Sequence, residues 1–191
     1  MFAGPNGSGK STAYSRVTVE GRDPAVWIVN PDLLTARLQA SESLSLVDAN
    51  LAAVKRLETW LEATIRVHKS VGVETVLSTD KYRRIVELAK SLGFTYRLFY
   101  VLLSSPELNV VRVQQRVLKG GHDVPPSKII ERYWRSLEQL PWFLDHADLA
   151  EIYDNSGAEP RLVATKQGKA IVVSPDAPAS LLGALGVNAK A

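Results

Sequence analysis

The chain has 191 residues, 46% of them apolar, which suits a single buried core and a single domain over 1–191. Its 23 basic and 20 acidic side chains leave a net charge of +3 with no long run of either sign, so the concentrated basic face that nucleic acid demands is missing. There is no cysteine for a disulfide or thiolate metal site, no apolar run of about 18 residues that reads as a membrane span, and no charged leader at the start, so the expected location is the cytoplasm.

Gly4-Pro5-Asn6-Gly7-Ser8-Gly9-Lys10-Ser11-Thr12 fits G-x-x-x-x-G-K-[ST] at every constrained position. Glycines let a backbone wrap closely around a polyphosphate and aim amide N–H groups at an anion on the N-terminus of the helix that follows. Lys10 is then placed for the β- and γ-phosphates of ATP, and the Ser11 hydroxyl for Mg²⁺. A dinucleotide fingerprint is excluded, because Thr12 stands where its third glycine belongs. Only Met1-Phe2-Ala3 precede the loop, against about five or six residues in a usual strand, so the first strand is expected to be clipped or to begin upstream.

Lys10 to Val17 reads as the helix behind the loop, ended by Gly21-Arg22-Asp23-Pro24. Val26 to Val29 is a strand candidate, and Asp32 follows it. A carboxylate there is either the base for an acceptor hydroxyl or the N-cap of a helix over Leu33 to Leu38. Leu46 to His68 is a long helix with Leu51, Val54, Leu57, Leu61 and Ile65 at helical spacing. Within the strand Val71 to Leu77, Glu74-Thr75 places an acid where burial demands a partner: an acceptor hydroxyl, Mg²⁺ reached through water, or a structural ion pair. Asp80 is expected to cap a helix to Ser91, with Gly93 as its stop.

Tyr96 to Leu103 is the next strand, and Ser105-Pro106 opens a helix to Lys119. Gly120-Gly121 and Pro125-Pro126 then separate it from a helix reaching Asp145, with a kink expected at Pro141. Arg112 and Arg116 share one helical face and Arg132 and Arg135 another. Such faces are commonly just solvated, but a hinge at the glycines would swing both over the phosphates, where guanidinium groups stabilise the moving charge. His122 has no companions at metal-ligand spacing. Trp134 and Trp142 read as core. Ala150 to Tyr153 is a fifth strand, Leu162 to Thr165 and Ala170 to Val173 form a hairpin, and Ala177 to Leu185 a last helix. The fold class expected is therefore α/β: a P-loop NTPase-type, mostly parallel sheet of about five strands flanked by helices, with an arginine-bearing helical lid at about 112–140 and a small C-terminal hairpin and helix at about 160–187.

Taken together, Gly4 to Thr12, Asn30-Pro31-Asp32, Glu74-Thr75, Arg116 to Leu137 and Asp154-Asn155-Ser156-Gly157 resemble the zeta-toxin-like family of P-loop kinases. Zeta toxins phosphorylate a sugar hydroxyl of UDP-N-acetylglucosamine with ATP and Mg²⁺ unless an antitoxin blocks the site. The resemblance implies Lys10 and Ser11 as phosphate and metal contacts, Asp32 as general base, Arg116 and Arg132 as lid arginines, and Glu74, Thr75, His122 and Arg135 on the acceptor side. An antitoxin partner is implied as well. The chain departs from the family after the strand glutamate, where Thr75-Val76-Leu77-Ser78 replaces a Gly-Thr-Gly-Arg-like turn. Two other readings of the phosphate loop remain at this point, a nucleotide-controlled switch and a polynucleotide 5′-kinase.

Overall fold

A computed structural model of the chain describes residues 1–12, 26–121 and 123–187. The helix expected from Lys10 is seen through Thr12; its continuation, the Gly21-Arg22-Asp23-Pro24 break and His122 lie outside the described residues.

Strands β1 (Phe2–Ala3), β2 (Trp27–Val29), β3 (Val71–Thr75), β4 (Arg97–Leu102) and β5 (Leu149–Asp154) run parallel to their neighbours. β6 (Arg161–Gln167) and β7 (Ala170–Val173) continue the sheet antiparallel, giving the order β2-β3-β1-β4-β5-β6-β7. The sheet thus has seven strands where about five were expected, because the C-terminal hairpin joins β5 instead of standing apart. Parallel neighbours cannot be joined by a tight turn, so the chain crosses over through helices that cover both faces. That is why β4 reads as an apolar run, with Leu98, Tyr100, Val101 and Leu102 all buried. Since β1 lies between β3 and β4, the phosphate loop emerges at the middle of the carboxyl edge, beside the ends of β3 and β4 and within reach of those of β2 and β5.

Helices α1 (Pro31–Glu42) and α2 (Leu46–Arg66) pack on each other through Leu38, Ala49 and Ala53. The buried stripe of α2 is Ala49, Ala53, Leu57, Leu61 and Ile65; Leu51, expected in it, is 67% exposed. Ala49 and Ala53 were not in the expected stripe, yet their small side chains are what let α1 approach. Helix α3 (Arg83–Ser91) begins three residues later than expected, and Asp80 meets it with its backbone carbonyl, which accepts from Arg83 N, while no side chain caps it. Ser105 and Pro106 open α4 (Pro106–Leu118) as expected.

Helix α5 (Pro126–His146) runs through Pro141 without a break. Its buried face carries Ile129, Tyr133, Ser136, Leu137, Leu140, Phe143 and Leu144. Tyr133 Oη donates to the Leu103 carbonyl at 2.9 Å, and Ser136 Oγ donates to the Val76 carbonyl at 2.8 Å. These bonds tie the arginine-bearing helix to the carboxyl ends of β4 and β3. Trp134, expected inside, is instead 48% exposed and stands edge-on to Tyr133, whereas Trp142 is partly buried against the core. The short α6 (Ala179–Ala184) closes over α5, burying Leu181 and Leu182. Among the described residues no helix is long and apolar enough to cross a membrane.

Candidate active site

The phosphate loop folds over the end of β1 and is clamped from two sides. Asn155, just past β5, donates Nδ2 to the Ser8 carbonyl at 2.8 Å, and its own carbonyl accepts from Arg112 Nη2 at 2.7 Å. From α4, Asn109 Nδ2 donates to the Asn6 carbonyl. Gly9 has φ 90°, and a Cβ there would collide with Asn155 Nδ2, so the clamp and the glycine require one another. Neither Asn109 nor Asn155 had an assigned role in the sequence reading; only the placement of Asn155 in Asp154-Asn155-Ser156-Gly157 hinted at it. Ser8 is fully buried, and its Oγ has no partner, which suits a loop whose donors await a phosphate.

Lys10 is 8% exposed and donates Nζ to the Pro5 carbonyl at 2.9 Å. Burial pulls its ammonium down to about 8; Glu74 and Asp32 oppose that shift and Arg116 adds to it. Ser11 Oγ donates to the Glu74 carboxylate at 2.9 and 3.1 Å. Glu74, buried on β3, also accepts from Asn30 Nδ2 at 3.1 Å, so the acid found in a strand is met by two neutral hydrogen-bond donors. Asn30 Oδ1 accepts from Asp32 N at 2.8 Å, which makes Asn30 the cap of α1. Asp32, for which capping was one of two readings, is therefore an exposed residue of the first turn.

A cleft of about 490 Å³ runs from the loop along the carboxyl edge and brings together Lys10, Ser11, Asp32, Glu74, Arg116 and Arg132. Thr75 lines it too, with its Oγ1 turned to accept from Leu77 N at 3.0 Å. Lys81, which the sequence reading passed over, stands at the far end near Asp32 and Arg132. Arg135 is not among the lining residues; it lies on the exposed side of α5 and pairs with Glu131 at 3.2 Å. The spacing of Arg132 and Arg135 by three residues suggested a common face, but Arg132 is followed by the buried Tyr133 and Ser136, which fix the rotation of the helix.

The glycine pair, expected both to end the helix and to serve as a hinge, ends the helix as expected. Gly120, at φ 83°, donates N–H to the Val117 carbonyl and Gly121 to the Arg116 carbonyl, the paired bonds of a Schellman ending. Arg116 is thus presented from the last anchored turn of α4. On the outer side of the loop a second hollow of about 410 Å³ lies between Arg112, Gln115 and Lys119 of α4 and the Asn155 to Pro160 turn. A third, about 430 Å³, sits at the opposite, amino end of the parallel strands; its walls, such as Ile28, Leu61, Ile65 and Phe94, are apolar and hold none of the candidate residues.

A phosphate loop at the centre of a parallel sheet, with its lysine buried and a carboxylate on its serine hydroxyl, defines a nucleotide-binding P-loop protein. Residues 1–140 match the model of the AAA_33 family, an AAA domain, and the chain belongs to that family. An uncharacterised protein of Haemophilus influenzae is 27% identical over 134 residues, which span 70% of this chain and 90% of that one. In fold the chain is similar to the AvrRxo1-ORF1:-ORF2 structure with ATP, at a TM-score of 0.69 and 18% identity over 97% of this chain. It spans only 63% of that relative's length. It is also similar to the PezAT chromosomal toxin-antitoxin system of Streptococcus pneumoniae, at a TM-score of 0.58 and 20% identity over 85% of this chain and 68% of that one. The shared fold is the one anticipated from the resemblance to zeta-toxin-like P-loop kinases.

Proposed function

We propose that the chain is an ATP-dependent small-molecule kinase of the zeta-toxin type, working in the cytoplasm on a hydroxyl of a UDP-activated amino sugar such as UDP-N-acetylglucosamine. The observation that carries this reading is the sharing of one cleft by the phosphate-binding Lys10 and Ser11, the exposed carboxylate of Asp32 and the guanidinium of Arg132. A nucleotide switch needs the first pair alone. Transfer needs a base as well, placed on the far side of the γ-phosphate, and Asp32 is the exposed carboxylate of that wall. As the acceptor oxygen bonds to the γ-phosphorus and the bond to the β,γ-bridging oxygen breaks, the hydroxyl proton passes to Asp32 and ADP leaves. Arg116 and Arg132, which line the same cleft, would stabilise the equatorial oxygens, where charge accumulates.

Ser11 Oγ and the Glu74 carboxylate are hard oxygen donors already in contact, which suits Mg²⁺ held by the hydroxyl with Glu74 reached through water. When bound, the ion would neutralise charge on the β- and γ-oxygens. Thr75 and Lys81 complete the acceptor wall, and the hollow beyond Gly9 takes the donor's nucleoside. An antitoxin-type protein partner belongs to the same proposal, since PezAT is a toxin-antitoxin system.

Incubation with γ-labelled ATP, Mg²⁺ and a panel of UDP-sugars should yield a phosphorylated UDP-amino sugar, identified by mass spectrometry. Binding of ATP with no label on any sugar or metabolite supplied would overturn the kinase reading.

A further inference from the structure

Asn30 connects the two ends of the cleft through the two atoms of one amide. Oδ1 accepts from Asp32 N at 2.8 Å, and Nδ2 donates to Glu74 Oε2 at 3.1 Å. These partners fix which atom is which: turning the amide over would set oxygen against carboxylate and NH₂ against N–H. Capping alone does not call for asparagine, because aspartate and serine cap as well. What they lack is the second contact. Aspartate has no donor and would place a second carboxylate against Glu74, and a serine hydroxyl is too short to span both partners.

Glu74 is 8% exposed and receives, besides Asn30, the hydroxyl of Ser11. If the Ser11 hydroxyl turns to a metal ion, Asn30 Nδ2 still holds the carboxylate in its rotamer. We infer that Asn30 is a positioning residue. It orients Glu74 toward the Ser11 end of the site and, through the same amide, sets where α1 starts and therefore where Asp32 stands. The donor and acceptor ends are kept in register by one side chain. The part concerning Asp32 rests on the kinase reading above; the part concerning Glu74 needs only Mg²⁺-dependent nucleotide binding.

The test compares Asn30→Ser and Asn30→Asp, both of which keep a capping side chain, in the whole chain. Thermal unfolding of Asn30→Ser should stay close to that of the parent, whereas Asn30→Asp, with a carboxylate set against Glu74, should lose some stability. The Mg²⁺ concentration that half-supports ATP binding, followed by calorimetry, should rise about tenfold or more, as for other residues that orient a metal's ligands, with Asn30→Asp the worse. In a Glu74→Gln background the excess cost of Asn30→Asp should vanish, since no carboxylate then faces the new one. An unchanged Mg²⁺ dependence in both variants, with only Asn30→Ala impaired through lost stability, would reduce Asn30 to a helix cap and overturn the inference. A parent that binds Mg²⁺ and ATP but labels no acceptor would sink the kinase reading instead, leaving the Mg²⁺ shift to decide the role of Asn30.

Discussion

The two halves of the cleft are built to opposite degrees of constraint. On the donor side the Asn6 and Ser8 carbonyls are each held by an asparagine from another element, and Lys10 is buried. On the side proposed for the acceptor Asp32, Thr79 and Lys81, all lining the cleft, are exposed. A triphosphate presents the same oxygens in every turnover, so its cradle is best set rigidly in advance; an acceptor must enter and leave past its base. Rigidity follows what the ligand keeps constant.

The division can be broken by substitutions that touch one half only. Asn30, not Asp32, caps α1, so Asp32→Asn should leave folding intact. Turnover should fall about 10²- to 10⁴-fold, as for loss of a general base, with the ATP dissociation constant nearly unchanged. Arg132→Ala should follow the same pattern with a loss of about 10²- to 10³-fold in turnover, because in the proposed reaction its guanidinium acts on charge that exists only in transit. Asn155→Ala should do the reverse. Freeing the Ser8 carbonyl, while the Asn155 backbone carbonyl keeps its bond from Arg112, should weaken ATP binding by up to about tenfold, the worth of one hydrogen bond, with turnover at saturating ATP close to the parent's. Steady-state kinetics set beside direct ATP titration separates these cases. Equal losses in affinity and turnover for Asp32→Asn and Asn155→Ala would mean that the halves are not independent.

The same contrast explains what could be read in the sequence. The loop announced itself because backbone curvature around phosphates must be written in closely spaced glycines, and the acids just after β2 and at the end of β3 because parallel topology brings strand ends to one edge. Asn109 and Asn155 gave no such signal: each holds a backbone atom more than a hundred residues away, a relation with no local spacing. Gly120-Gly121 was legible as a helix stop because left-handed backbone is needed to close the last turn, and the bonds to Val117 and Arg116 show how it closes. Arg135 shared an i, i+3 relation with Arg132, but the rotation of α5 was set by Tyr133 and Ser136, whose partners lie on other elements.

A pH titration sharpens the donor side. The Lys10 ammonium sits near 8 in the folded chain, below its ordinary 10.5, so its charged form is disfavoured by folding: that cost is full below about 8 and is relieved as pH rises toward 10.5. Polyphosphate binding requires the charged form. ATP affinity should therefore be flat below about pH 8 and fall by up to about tenfold per pH unit above it, with uptake of about one proton on binding at pH 9 and almost none at pH 7. Calorimetry in buffers of different ionisation enthalpy reads that uptake directly, and Lys10→Arg should abolish it. Equal uptake at both pH values would show that Lys10 does not titrate in this range.

The smallest effect concerns the back of the acceptor wall. Leu77 is 1% exposed and has φ 60°, a left-handed conformation held while Thr75 Oγ1 accepts its N–H, at a place where the resembling family has a glycine-containing turn. Leu77→Ala should cost about 2–5 kcal/mol for the emptied volume and leave the left-handed backbone in place. Leu77→Gly empties nearly the same volume but relieves about 1–2 kcal/mol of Cβ strain, so glycine should be the more stable of the two by about 1 kcal/mol in urea denaturation. That order is the inverse of what a helix or strand interior would give. If alanine proves equal or better, the turn has relaxed out of its left-handed form, and the open acceptor wall lacks the rigid backing that Ser136 and Leu77 give it here.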